Sequence, residues 1–158
     1  MRVTKYNTYL DDDKKCYLIK EKSINYQIEK RKFDNPDIIC KLMRDVFSVD
    51  KLSEEYLYML CFDTKLKLIG VFEISHGSVS ASIGSTREIM QKALMCNAVR
   101  IALTHNHPSG DTEPSKADDE VTIKVKNASK LMDITFLDHI IIGENQYYSY
   151  RRDSALLN

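Results

Sequence analysis

The chain has 158 residues, 43% of them hydrophobic, which is typical of one soluble globular domain with its own core. Its 23 basic and 23 acidic residues balance, so the overall charge does not indicate a nucleic-acid-binding protein. The four cysteines contain no C-x-x-C pair, no signal peptide is visible, and no apolar run approaches the roughly 20 residues of a membrane helix. We therefore expect reduced thiols in a cytoplasmic protein that has no membrane partner.

The first 32 residues predict a short strand-like arm that precedes a single globular unit, residues 33–158. Two alternating runs, CYLIKE and INYQIEKR, predict two strands joined by a hairpin around Ser23. An exposed strand in this arm could pair with a second copy of the chain, so a homo-oligomer is one expectation for the protein.

The next segments predict a helix and then a set of strands. DNPDIICKLMRDVF has its apolar residues at helical spacing; Asp34 or Asn35 can cap this helix, and Pro36 suits its first position. EEYLYMLCFD and KLIGVFEIS predict adjacent strands joined by a tight polar link at residues 63–65, and SVSASIG predicts a third strand.

The second half of the chain continues this alternation of strands and helices. STREIMQKALMCNA predicts a helix that begins with a capping box from Ser85 to Glu88. VRIALTHNH predicts a buried strand, SKADDEVTIKVKNASKLM a further helix, and ITFLDHIIIG and QYYSYRR two closing strands. The predicted fold class is therefore α/β or α+β, with a mixed sheet.

Two histidines stand at the end of the buried strand, in the sequence HNH. Because side chains alternate along a strand, His105 and His107 point to the same side and can reach one metal ion. If Ser115 caps the following helix, Asp118 falls in its first turn and could supply a third ligand, which leaves the fourth position of a catalytic zinc site to water. The alternatives are two ordinary histidines and an ordinary capping box.

Such a water needs a base, and three glutamates are candidates for it. Glu54 and Glu55 precede an apolar strand, and Glu73 lies inside one. A lone carboxylate in an apolar strand is costly unless it is paired, which favours a functional role for Glu73, but position alone does not choose among the three.

The run HNHPSGDTEPSKAD resembles the H-x-H-P and S-x-x-D signature of the JAMM metalloproteases, the JAB1/MPN-type family, including the ten residues between His107 and Asp118. HNHPSG, with REIMQKAL upstream and LDHIIIG and YYSY downstream, is similar to the C-terminal domain of the bacterial RadC proteins over about residues 35–152. The resemblance implies a JAB1/MPN-like mixed β-sheet flanked by helices, with cytidine-deaminase-like layering.

The resemblance also implies a set of site residues and an activity. Zn²⁺ would be held by His105, His107 and Asp118, Glu55 would be the general base, and Ser115 would stabilise the developing oxyanion. The implied reaction is hydrolysis of peptide or isopeptide bonds in a polypeptide substrate.

Two further expectations come with the resemblance. His139, in LDHIIIG, also matches the family pattern, but its apolar strand is far from the ligand motif, so we expect a structural role. RadC proteins have long been labelled DNA-repair proteins, so the alternative function is a DNA-associated accessory protein, which would bind DNA with a steep salt dependence. Residues 1–32 do not resemble the helix-hairpin-helix region that typical RadC proteins carry, so support for DNA binding is weak.

Overall fold

The computed structural model describes residues 1–28, 32–77 and 85–157. The strands in these residues are β1 (Arg2–Leu10), β2 (Cys16–Asn25), β3 (Glu55–Phe62), β4 (Leu68–Gly77), β5 (Arg100–Asn106), β6 (Thr135–Ile142) and β7 (Tyr147–Ser149). The helices are α1 (Pro36–Phe47), α2 (Thr86–Met95), α3 (Lys116–Leu131) and α4 (Tyr150–Asp153), and a 3-10 turn spans Val49–Lys51.

The seven strands described form one mixed sheet in the order β2-β1-β4-β3-β5-β6-β7. β3 pairs antiparallel with both β4 and β5, whereas β5 pairs parallel with β6. A parallel neighbour requires a crossover connection, and α3 supplies it between β5 and β6. The C-terminal ends of β5 and β6 therefore open on the same edge of the sheet as the N-terminus of β3.

Helices cover both faces of this sheet. On one face, α1 packs its buried side chains Ile39, Leu42 and Met43 against strand residues such as Leu60 and Ile140. On the other face, α2 and α3 pack Ile89, Val121 and Val125 against strand residues such as Met59 and Leu103. The predicted mixed sheet flanked by helices is confirmed.

The first predicted helix is confirmed as α1, for the reason that the sequence suggests. Asn35 is its N-cap and accepts a hydrogen bond from the backbone N–H of Asp37 at 2.9 Å, and Pro36 takes the first helical position. The helix ends where Ser48 adopts a left-handed backbone conformation with φ of 51°.

The predicted position of the N-terminal hairpin is wrong. β1 and β2 are joined by a turn at residues 11–15, where the side chain of Asp11 accepts a hydrogen bond from the backbone N–H of Lys15 at 2.8 Å, and Ser23 lies inside β2. β1 also pairs parallel with β4, through Lys5 with Val71 and Tyr6 with Phe72. The division of the chain at residue 32 stays a prediction.

Three smaller expectations have different outcomes. Ser85 is the N-cap of α2 but makes no side-chain capping bond there, so the predicted capping box is wrong. The predicted strand QYYSYRR ends at Ser149, because the Ser149 hydroxyl accepts from the backbone N–H of Arg152 and begins the short helix α4. SVSASIG lies outside the described residues.

No helix in the described part of the chain is long and apolar enough to span a membrane.

Candidate metal centre

Three side chains that can ligate a metal meet at the sheet edge where β5 ends. Nε2 of His105 lies 3.0 Å from Nε2 of His107 and 3.2 Å from Oδ1 of Asp118. One ligand atom from each residue falls within 4.8 Å of the others, so the cluster could hold a metal ion. His105 and Asp118 are buried, and His107 is half-buried on the outer side.

The start of α3 brings Asp118 to this edge. Ser115 is the N-cap, and its hydroxyl oxygen accepts the backbone N–H of Asp118 while the Asp118 carboxylate accepts the backbone N–H of Ser115 at 2.8 Å. This is the predicted capping box, and it fixes the carboxylate in the first turn of the helix. Ser115 is exposed, and its hydroxyl also donates to Oδ2 of Asp118 at 2.6 Å.

The loop after β5 orients His107. Its backbone N–H donates to the carbonyl of Ile142 at 3.1 Å, and Nδ1 lies 2.7 Å from the carbonyl oxygen of Asp111. A carbonyl can only accept, so Nδ1 of His107 carries the proton and Nε2 of the neutral ring presents a lone pair to the cluster. Metal-bound histidines commonly donate their other ring N–H in this way.

The protonation equilibria of the cluster reflect this close approach. Burial raises the pKa of Asp118, but the close contacts of its carboxylate with the imidazoles of His105 and His107, which can donate when protonated, outweigh burial and hold that pKa far below its ordinary value. The hydrogen bond with Asp118 raises the pKa of His107 above its usual 6.5, although burial opposes this change. The cluster thus favours one added positive charge, which either a proton or a cation can supply.

Glu55 lies at the start of β3, beside this edge. The antiparallel register of β3 with β5 ends at the pair Leu57–His105, and Glu55 lies two residues before Leu57 on β3. The negative charge of Glu55 contributes to the raised pKa of His107. Oε2 of Glu55 is buried and has no hydrogen-bond partner among the described residues, whereas the neighbouring Glu54 is exposed.

Asn106 holds the backbone on both sides of Glu55, a contact that sequence reasoning missed. Its Oδ1 accepts the N–H of Tyr56 at 2.9 Å, and its Nδ2 donates to the carbonyl of Glu54 at 2.9 Å. These bonds continue the pairing of β3 with β5 beyond its last residue pair. The sequence signal that could have found it is an asparagine between the two histidines, which the structure buries.

Glu73 belongs to a different group of charges. It lies in β4 opposite Tyr58, and its carboxylate pairs with Lys5 at 2.8 Å and with Nδ1 of His76 at 3.0 Å. The argument from an unpaired carboxylate is therefore wrong for Glu73, because β1 brings a lysine beside it.

His139 is not far from the ligand motif, contrary to the expectation. β6 runs parallel beside β5, and Nε2 of His139 lies 2.9 Å from Nδ1 of His105 although 34 residues separate them. Burial holds the pKa of His139 well below its ordinary value, so its ring is neutral. His139 thus contacts the candidate metal centre from behind His105.

The donor set fits a zinc ion. Two imidazole nitrogens and one carboxylate oxygen are typical ligands of catalytic zinc, and tetrahedral bonds of 2.0–2.1 Å would put neighbouring ligand atoms about 3.4 Å apart. The two closest pairs in the cluster, at 3.0 and 3.2 Å, are near this spacing. Lone pairs facing one another at such distances repel unless a cation or a proton lies between them. The cluster could therefore hold a metal ion.

The chain forms a mixed sheet that carries three potential metal ligands at one edge. Comparison with known protein families identifies the family to which the chain belongs. Residues 33–155 match the RadC-like JAB domain, so the chain belongs to this family.

Relatives of known sequence agree with this assignment. A UPF0758 protein of Clostridium perfringens is 36% identical over 141 residues, which cover 89% of this chain and 61% of the relative. A UPF0758 protein of Streptococcus gordonii is 40% identical over 119 residues, 75% of this chain and 52% of the relative. One of Methanococcoides burtonii is 39% identical over 128 residues, 78% of this chain and 56% of the relative. The chain thus spans 52–61% of the length of these relatives, whose names state no activity.

Proposed function

We propose that the chain is a zinc-dependent hydrolase of peptide or isopeptide bonds. One observation carries the proposal: lone-pair atoms of His105, His107 and Asp118 converge at a sheet edge where Glu55 has a buried carboxylate oxygen without a partner among the described residues. Unpaired buried acceptors are costly, and such costs are often retained where a site must bind a ligand.

The three proposed metal ligands differ in their burial. His105, His107 and Asp118 would hold the metal; His105 and Asp118 are buried, while His107 is half-buried. Zinc, when bound, acts as a Lewis acid that polarises a carbonyl and lowers the pKa of a water.

Glu55 is the proposed general base. Its free Oε2 can accept a proton from the attacking water and return that proton to the leaving nitrogen, which is the transfer that amide hydrolysis requires. Asn106 fixes the backbone of Glu54 and Tyr56, and this fixes the point of the backbone from which the Glu55 side chain extends.

Ser115 is the proposed donor to the developing oxyanion. Its hydroxyl carries one proton, which it donates to Oδ2 of Asp118. To serve a substrate oxygen the hydroxyl must turn away from Asp118, and its exposed position at the helix N-terminus gives it room to do so. The amide class of the substrate is supported by the JAMM-type signature, and a polypeptide is its proposed carrier.

A pair of neighbouring glutamates gives the sharpest test. Glu55→Gln keeps the size of the side chain but removes the base, whereas Glu54→Gln makes the same change at an exposed position. We expect both variants to bind one zinc per chain, measured by elemental analysis, and to gain thermal stability on zinc addition.

Cleavage of a peptide library should separate the two variants. We expect Glu55→Gln to lose activity by about 10²–10⁴-fold, while Glu54→Gln cleaves as the wild type does. Retained zinc in a His105→Ala variant would contradict the metal assignment. Equal losses in both glutamate variants would contradict the role of Glu55.

A further inference from the structure

Short hydrogen bonds connect the backbone of Asp118 through the interior to His105. The hydroxyl oxygen of Thr122, on α3, lies 2.7 Å from the carbonyl oxygen of Asp118 and 2.7 Å from Nδ1 of His139. Nε2 of His139 in turn lies 2.9 Å from Nδ1 of His105. Thr122 and His139 are 0% and 1% exposed, so these groups must satisfy one another.

The carbonyl oxygen of Asp118, at one end of these hydrogen bonds, determines which atom donates in each of them. The carbonyl oxygen of Asp118 has no proton, so the hydroxyl of Thr122 donates to it. That hydroxyl has then used its only proton and must accept one from Nδ1 of His139. A neutral ring that is protonated at Nδ1 has its lone pair at Nε2, so His139 accepts from Nδ1 of His105.

We propose that Thr122 and His139 are positioning residues that hold His105 in its metal-binding tautomer. The proton of His105 is kept on Nδ1, and its Nε2 lone pair faces His107 and Asp118. The inference rests on the proposed metal site for its purpose, but the proton order exists in the metal-free protein as well.

A backbone carbonyl fixes the tautomer of each of the two histidines at this centre. The carbonyl of Asp111 fixes His107 directly, and the carbonyl of Asp118 fixes His105 through Thr122 and His139. Both rings, when neutral, therefore present Nε2 lone pairs to the cluster, and neither has to change its tautomer when a metal binds. Partners of this kind typically change metal affinity 10–100-fold when they are removed.

The competing explanation is that Thr122 only back-bonds to its own helix. Threonines in helices often donate to the carbonyl four residues earlier, without any role beyond the helix. The hydroxyl would then impose nothing on His139, and His105 could carry its proton on Nε2, where Oδ1 of Asp118 lies 3.2 Å away. The two explanations differ in one observable, the tautomer of His105.

Nuclear magnetic resonance of the full chain, labelled with ¹⁵N and freed of metal by a chelator, reads this tautomer directly. Long-range ¹H–¹⁵N correlation spectra distinguish a protonated ring nitrogen from a bare one. At a pH above the pKa of His107, we expect His105 and His139 both to carry the proton on Nδ1. A proton on Nε2 of His105 would overturn the proposal.

Zinc affinity of matched variants provides the second test, with zinc alone as the probe and a competing chelator as the reference. We expect Thr122→Val, which has the same shape without the hydroxyl, to bind zinc about 10–100-fold more weakly. Thr122→Ser restores the hydroxyl and should bind as the wild type does. Thr104→Val removes a buried hydroxyl that has no partner in the described structure, on the residue before His105, and should have no effect.

The outcomes separate this proposal from the proposed function. A wild type that binds no zinc would refute the metal site, and the spectrum of the metal-free protein would still decide the tautomer. Wild-type zinc affinity in Thr122→Val would overturn the positioning role. If Thr122→Val does not fold, the tautomer of His105 in the wild-type spectrum decides the proposal.

Discussion

Replacement of Asn106 by alanine should destabilise the protein and release Glu55 from its position. The ladder between β3 and β5 ends at the pair Leu57–His105, and the Asn106 amide supplies two further bonds of 2.9 Å to Tyr56 and Glu54. The side chain is 2% exposed, so water does not readily replace it. Each of the two bonds contributes about 1 kcal/mol net, and the backbone N–H of Tyr56, left unpaired, adds about 1–3 kcal/mol, so we expect a loss of about 3–5 kcal/mol.

Urea unfolding followed by circular dichroism measures this loss as a lower transition midpoint with an unchanged slope. Asn127→Ala is the matched control, because Asn127 is exposed on α3, and its free energy of unfolding should change by less than about 0.5 kcal/mol. Equal midpoints for Asn106→Ala and the wild type would refute the reasoning, since they would mean that the two bonds contribute nothing to stability.

Two further predictions concern pH and close packing. The raised pKa of His107 stabilises the metal-free protein at pH values below its ordinary pKa of 6.5, and this contribution is lost as the pH rises through the higher pKa of the folded state. The lowered pKa of Asp118 stabilises the protein at pH values above its ordinary pKa of 3.8, and that contribution is lost in acid. Zinc needs the neutral ring of His107, so the zinc-induced rise in melting temperature should grow from pH 6 to 8 while the metal-free protein loses stability; a rise that does not vary with pH would contradict this. Gly143→Ala would place a methyl group 2.4 Å from the carbonyl oxygen of Gly110, in the loop after His107, and should cost about 1–3 kcal/mol in urea unfolding. The exposed neighbour Glu144, changed to alanine, is its control, and equal effects of the two changes would contradict the packing argument.

Local spacing was sufficient wherever one element contains all the interacting groups. The helix α1 could be predicted because Asn35, Pro36 and the apolar stripe lie within one segment. Alternation along one strand likewise predicted that His105 and His107 share a side, and one capping box placed Asp118 in the first turn of α3, but their meeting joins two elements and depends on the fold. These relations depend only on backbone geometry over a few residues.

Relations between distant strands could not be obtained in this way. The N-terminal hairpin was misplaced because its turn lacks a glycine signal, and Lys14 takes the left-handed conformation instead, with φ of 63°. Glu73 was a candidate base from its position in the sequence, but the structure pairs it with Lys5 of β1. The resemblance to a known family, and not the spacing of residues, favoured Glu55.

The sequence by itself determined which residues could bind a metal and on which face of their strand or helix they lie. Only the tertiary structure decided what surrounds them: the parallel pairing of β5 with β6 brings His139 behind His105, and the end of the β3–β5 ladder lets Asn106 hold the strand at Glu55. The physical reason is that a side chain's face follows from a period of two or 3.6 residues, whereas its neighbours depend on strand order and register, which the whole core selects.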